Sequence, residues 1–175
     1  MPANLEIKAK IKDTRTAESA ADSVPARYGG EMYQVDTYFN VPEGRLKLRQ
    51  IKDSHAELIY YKRKEDSISR LSRFEVYTAK EPAVLMKILK NAYGIRGVVR
   101  KRRILYFFGD TRIHIDSVKG LGSFVEFEVP FRSKYNALKT LKQLTAVFKI
   151  RKGNYIKKSY LDLLTAGREA PNRLQ

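Results

Sequence analysis

Along most of the chain, apolar and polar residues alternate with a period of two, the pattern of half-buried β-strands. In residues 4–12, Leu5, Ile7, Ala9 and Ile11 fall on one face and Asn4, Glu6, Lys8, Lys10 and Lys12 on the other. Further strands are predicted at 33–39, 45–50, 57–63, 70–77, 98–108, 111–117 and 123–131. The turn signals VPEG, KDSH, KEDSIS and Gly109-Asp110 separate several of them, and RYGGEM reads as another turn. In three places the period becomes helical. Ala17, Ala20, Ala21 and Val24 recur at helical spacing until Pro25. Pro82 opens a helix carrying Val84, Leu85, Ile88 and Leu89, which Gly94 ends. Ser133 caps a third, with Leu138, Leu141, Leu144 and Phe148 on its core face. Residues 155–164 fit a short helix or an edge strand equally well, and a loose polar tail begins at Thr165.

About eight strands joined by short turns imply an α+β, mainly β chain built on an antiparallel sheet or barrel. Its 175 residues, with no repeat and no long linker, make one domain. The polar faces carry the more specific signal. Arg45, Lys47 and Arg49 share one face of their strand, Tyr61 and Arg63 one of theirs, and Arg73 and Glu75 another. RIHID groups Arg112, His114 and Asp116, and GSFVEFEV groups Phe124, Glu126 and Glu128. In VVRKRRILY the neighbours do not choose between Arg100 with Arg102 and Lys101 with Arg103. Any one such strand is explained by a wet sheet face. Eight together require helices over one face or a sheet curled round a polar interior.

Thirty-five Lys and Arg against nineteen Asp and Glu give a net charge of +16 and imply an anionic partner: nucleic acid, an anionic membrane or a small polyanion. Carboxylates embedded in that basic system suit a hard divalent cation, Mg²⁺ or Mn²⁺, bridging Asp116, Glu126 and Glu128 to a phosphate chain. The absence of cysteine excludes disulfides and thiolate metal sites. No signal-peptide pattern and no apolar run near 18 residues occurs, so a cytoplasmic protein without membrane contact is expected.

These segments resemble the CYTH superfamily of triphosphate tunnel metalloenzymes, and within it the class IV adenylyl cyclase branch. NLEIK matches the family's opening Glu-x-Glu-x-Lys strand at Glu6 and Lys8, with Asn4 in place of the first Glu. VRKRRILY matches at Val99, Lys101, Arg103 and Tyr106. IDSVKGLGSFVEFE matches the strongest signature at Asp116, Leu121, Gly122, Phe124, Glu126 and Glu128. VDTYF, GRLKLR, KSYLDLL and Arg73-Phe-Glu75 also look like family segments, and the resemblance runs from about 4 to 164. It implies an eight-stranded antiparallel barrel, a triphosphate tunnel with flanking helices, and it favours Lys101 and Arg103 as the inward pair. On that reading Glu6, Asp116, Glu126 and Glu128 hold the metal. Lys8, Lys10, Arg45, Lys47, Arg49, Arg63, Arg73, Lys101, Arg103 and Arg112 are candidate phosphate ligands. Glu6, Lys8, Asp116 and His114 are the candidate catalytic groups.

Two reactions fit: hydrolysis of tripolyphosphate or of a nucleoside or organic triphosphate, and cyclisation of ATP to cyclic AMP and pyrophosphate. Hydrolysis asks less of the site, because cyclisation needs a nucleoside pocket in which Tyr33, Tyr38, Tyr60 or Tyr61 could stack on the base. Asn4 raises a third reading, a phosphate-chain binder without turnover. RGVVRKRR attracts nucleic acid, but specific nucleic-acid binding is not expected of a strand that shares its polar system with carboxylates. Lys157 and Lys158 could close one end of the tunnel, and His55 sits in a turn. The oligomeric state stays open, a homodimer being compatible with all of this.

Overall fold

A computed structural model describes residues 1–63 and 67–167. Part of KEDSIS and most of the predicted tail therefore lie outside the described residues. Eight strands are present: β1 (Ala3–Lys10), β2 (Ala26–Phe39), β3 (Arg45–Ile51), β4 (Ala56–Arg63), β5 (Arg70–Ala79), β6 (Ile95–Phe108), β7 (Thr111–Val118) and β8 (Gly122–Pro130). They close into an antiparallel barrel in the order β1-β5-β4-β3-β2-β6-β7-β8. The helices are α1 (Thr14–Asp22), α2 (Pro82–Tyr93), α3 (Lys134–Val147) and α4 (Tyr160–Ala166).

The alternation along the strands decides which way the barrel faces. Leu5, Ile7, Ala9, Ile113, Ile115, Val125 and Phe127 point outward, where Ala17 and Ala21 of α1 and Leu141 and Leu144 of α3 cover them. Phe127 meets Phe148 edge to face at 5.0 Å between ring centres. α2 covers a second outer patch through Leu89, against Phe39, Leu48 and Ala56. With the apolar faces buried outside, the polar faces have only the lumen left.

α4 plugs one end of that lumen. Tyr160 and Leu161 pack there with Tyr38, Tyr61, Val99, Val118 and Phe124. Gly97 leaves room at this point: a Cβ there would lie 2.5 Å from Leu161 Cδ1, so the leucine would have to shift. Ser159 caps α4 in a reciprocal pair with Asp162, which settles residues 155–164 as a turn and a helix. The other end of the lumen is lined by Met32, Ile51, His55 and Leu105.

Two sequence expectations need correction. RYGGEM is not a turn: β2 runs straight through it, with a bulge between Tyr28 and Gly30 and Gly30 at φ 114. A Cβ on Gly29 would lie 2.6 Å from the Phe107 ring, so the glycine pair serves close strand approach rather than reversal. Strand β6 begins at Ile95, three residues before the predicted start. Among the described residues no helix is long and apolar enough to cross a membrane.

If this outer layer closes the barrel, Phe127→Ala should lower unfolding free energy by about 3–5 kcal/mol, read from the urea midpoint. Leu138→Ala, on the exposed face of α3, should shift it by roughly 0.5 kcal/mol or less.

Candidate functional site

Cross-strand register sets the chemistry of the lumen. Glu6 of β1 lies directly opposite Glu128 of β8, and Lys8 opposite Glu126. On the far side of β8, Glu128 faces Arg112 and Glu126 faces His114, while Arg103 of β6 faces Asp116 of β7. The lumen holds a cavity of about 370 Å³. Among the described residues, seven basic side chains and four acidic ones line it, with Arg70, Asp36 and Asp116 buried behind them. Basic groups outnumber acidic ones by only two, so what matters is how the charges are distributed.

One region is acidic. Like charges directly opposite on neighbouring strands destabilise a sheet, and Glu6 and Glu128 are such a pair. Burial first, then repulsion from Glu128 and Glu126, raises Glu6 to about 7 despite Arg63 Nη1 at 3.3 Å. Burial would also raise Glu126, but Lys8 at 3.3 Å and Arg103 at 3.4 Å hold it well below the usual carboxylate range. Arg112 pairs with Glu128 at 2.7 Å. Asn4 stands beside them: its amide oxygen accepts from Arg112 Nη2 at 3.0 Å when its nitrogen donates to the Ala3 carbonyl. Burial, followed by the positive field of Arg103, depresses His114 to about 3, so its imidazole is neutral and keeps a lone pair. His114 Nδ1 has no hydrogen-bond partner and lies 3.5 Å from Glu128 Oε1. Donor atoms of His114, Glu126 and Glu128 fall within 4.8 Å of one another. Two carboxylates, an imidazole with an unmet nitrogen and a third carboxylate alongside form a donor set that fits a small divalent cation.

The second region is basic. Asp36 is shared by three cations: Lys47 at 2.9 Å, Arg49 at 2.8 Å and Lys101 at 3.3 Å. Burial, then repulsion from Arg49, lowers Lys47 to about 7 despite Asp36. Cations crowded on a single acid leave positive charge uncompensated, and an anion entering the lumen would restore the balance.

Between the two regions lies a rigid pair. Arg103 grips Asp116 through Nε and Nη2, both at 2.6 Å, and the Tyr160 hydroxyl donates to the same carboxylate at 2.9 Å. Burial would raise Asp116, but Arg103 overrides it and holds the group at about 2. Both Asp116 oxygens are thus engaged, and the carboxylate fixes the direction of Arg103.

Most of the residues singled out in the sequence meet here. Glu6, Lys8, Lys47, Arg49, Arg63, Lys101, Arg103, Arg112, His114, Glu126 and Glu128 line one cavity. Lys10 does not line it and is exposed beyond the plug. Arg45 sits at the plugged end, holding Asp162 at 2.7 Å and Ser159 Oγ at 3.1 Å. Arg73 is exposed on the outer face of β5, and the inward position of that strand belongs to the fully buried Arg70, whose Nη1 donates to the Lys157 carbonyl. Lys157 and Lys158 are exposed rather than capping the lumen with their side chains. Of the tyrosines, Tyr38 and Tyr61 line the cavity while Tyr33 is exposed. Sequence reading missed Asp36, Arg70 and Tyr160. Asp36 could have been found, since it shares its strand face with Tyr38.

Lys47 supplies a direct test. At pH 8 a lysine titrating near 7 is mostly neutral, and a polyanion beside it favours the charged form. Tripolyphosphate binding at pH 8 should therefore take up protons, read from calorimetry in buffers of different ionisation enthalpy. Uptake should shrink at pH 6, where Lys47 is already charged, and in Lys47→Met. Identical heats in all buffers at pH 8 would contradict the assignment.

Comparison with known proteins agrees with this geometry. The CYTH domain matches residues 3–160. A Methanocaldococcus jannaschii protein named "Putative adenylate cyclase" is 30% identical over 171 residues, covering 91% of this chain and 97% of the relative. A solved Pyrococcus horikoshii protein superposes with a TM-score of 0.83 at 19% identity, over 91% of this chain and 98% of its own. A Vibrio parahaemolyticus structure described as a "putative adenylate cyclase" gives 0.77 at 19% identity, over 93% and 97%. A match over nearly the whole chain, on a closed eight-stranded barrel, means that this protein belongs to the CYTH domain family.

Proposed function

We propose that this protein is a divalent-metal-dependent enzyme that binds a triphosphate in the barrel lumen and hydrolyses it, the substrate being tripolyphosphate or a nucleoside or organic triphosphate. The observation that carries this reading is the juxtaposition of the Glu6, Glu126, Glu128 and His114 group with the excess cations around Asp36. Members of the family act on triphosphates, and both parts of that lumen have a use in such chemistry.

Phosphoryl transfer asks the protein for charge neutralisation and in-line positioning rather than covalent participation. Lys47, Arg49 and Lys101 would hold one end of the phosphate chain, and Lys8, Arg63, Arg103 and Arg112 the end nearest the carboxylates. The arginines offer two parallel donors to a phosphate, whereas each lysine offers a point charge. Glu126, Glu128 and His114, with Glu6 beside them, would hold Mg²⁺ or Mn²⁺. Such an ion neutralises phosphate oxygens and acidifies a bound water. Asp116 and Tyr160 would act through Arg103, keeping its fork aimed into the lumen.

A second reading is supported by the name of the Methanocaldococcus jannaschii relative: cyclisation of ATP to cyclic AMP and pyrophosphate. Met32, Ile51 and Leu105 at the end away from α4 offer an apolar surface that a base could use.

Product analysis with Mg²⁺ or Mn²⁺ decides between them. Hydrolysis predicts orthophosphate from tripolyphosphate, with a loss of at least about a hundredfold in Glu126→Gln. Cyclic AMP with pyrophosphate from ATP, lost in the same variant, would establish the cyclase instead. Tight binding without turnover of either would leave a phosphate-chain binder. Asn4→Glu adds a carboxylate beside Arg112 and Glu128, and should raise metal-dependent turnover. Unchanged turnover would mean that Asn4 does not limit the rate.

A further inference from the structure

The lumen accounts for only a small part of the +16 charge, since its basic groups exceed its acidic ones by two. Much of the remainder is concentrated. Residues 129–161 contain nine basic side chains and no acidic one. Elsewhere on the outer surface some bases are matched by acids: Arg102 pairs with Glu31 at 2.6 Å, and Lys62 with Glu43 at 2.5 Å. Within the acid-free stretch Arg132 pairs with Asp110 at 3.1 Å. Among the described residues, no such partner is found for Lys134, Lys139, Lys142, Lys149, Arg151 or Lys152, and all six are exposed.

The fold turns this stretch into one surface. Ala137, Leu141 and Leu144 bury one side of α3 against the barrel. At about 100° per residue, Tyr135, Lys139 and Lys142 fall together on the opposite side, and Lys149 follows just past the end of the helix. Tyr135 is 75% exposed. Lys139 and Lys142 are neighbours three apart, and like charges at that spacing weaken a helix. Lys149 adopts φ 52, a conformation that glycine would adopt more easily. The basic surface then continues past α3. Tyr155 bridges to Ala9, and the Ile156 N–H donates to the Lys8 carbonyl. That antiparallel bridge puts the residues before Tyr155, Arg151 and Lys152 among them, on the side of the β1 end, where Lys10 and Lys12 are exposed. None of these exposed lysines and arginines lines the cavity.

We propose that α3 and the segment after it bind single-stranded nucleic acid, independently of sequence, at a site separate from the lumen. Regularly exposed lysines with no acids among them suit a phosphodiester backbone, whose binding is driven largely by counterion release. Tyr135, set among those lysines, offers a face on which a base can stack. A membrane surface fits less well. A helix lying in a bilayer interface needs a free apolar side, and α3 has committed its own to the barrel.

Fluorescence anisotropy of a labelled, mixed-sequence single-stranded oligonucleotide tests this. The wild type should bind with strong salt dependence, and saturating tripolyphosphate, which fills the lumen, should not displace the oligonucleotide. Replacing Lys139, Lys142 and Lys149 together by Glu should weaken binding about tenfold or more. The slope of log affinity against log salt should become shallower by about two. Tyr135→Ala should cost about fivefold or more. The triple Gln variant guards against misfolding, and the thermal midpoint and tripolyphosphate affinity of each variant should match the wild type. Three results would overturn the proposal: unchanged oligonucleotide affinity in both triple variants, full displacement by tripolyphosphate, or binding to phosphatidylserine vesicles but not to the oligonucleotide.

Discussion

Burying a charge without a partner costs several kcal/mol, and the barrel interior meets that constraint in some places and strains it in others. Arg103 and Asp116 satisfy each other with a bidentate fork, and Tyr160 completes the acceptor side. Asp36 is outnumbered by the cations around it, whereas Glu6 and Glu128 face each other as like charges. The two imbalances have opposite signs and occupy one cavity. A divalent cation would answer one and a phosphate chain the other, so that on the proposed reading one ligand pair relieves both.

That interior exists because the apolar faces of the strands have somewhere else to go. α1 and α3 bury the outside of β1, β7 and β8, and α2 buries the outside of β2 and β3. Without these helices the same alternation would turn the apolar residues inward and give an ordinary filled barrel. The plug works the same way from one end: Leu161 enters where Gly97 leaves room, and Arg45 ties α4 down through Asp162 and Ser159. Stability of the outer layer and function of the lumen are therefore carried by opposite faces of the same strands.

Period-two alternation made much of this legible in the sequence. It placed Glu6 with Lys8, Lys47 with Arg49, and Glu126 with Glu128 on the faces that turn inward. It was silent where charges occupy both faces. In β6 only the family resemblance chose Lys101 and Arg103, and these are buried while Arg100 and Arg102 are not. In β5 the grouping of Arg73 with Glu75 was right, but that face is the outer one and Arg70 is the buried arginine. Nothing local distinguishes the two, because the inward direction is set by pairing with β1 and β4. The RYGGEM error has a similar origin: a glycine pair signals reversal or close approach alike, and only the partner strand with Phe107 selects the second. The engagement of both Asp116 oxygens by Arg103 and Tyr160 was not legible in the sequence, because it depends on residues distant along the chain.

The carboxylate–histidine group should bind a divalent cation without help from a phosphate ligand. Manganese titration followed by electron paramagnetic resonance at pH 8, with protein alone and no phosphate compound, tests it most directly. The free Mn²⁺ signal should fall in proportion to wild-type protein, at one ion per chain, and Glu126→Gln should weaken this at least about tenfold. A signal unaffected by the wild type, or reduced equally by wild type and variant, would contradict it.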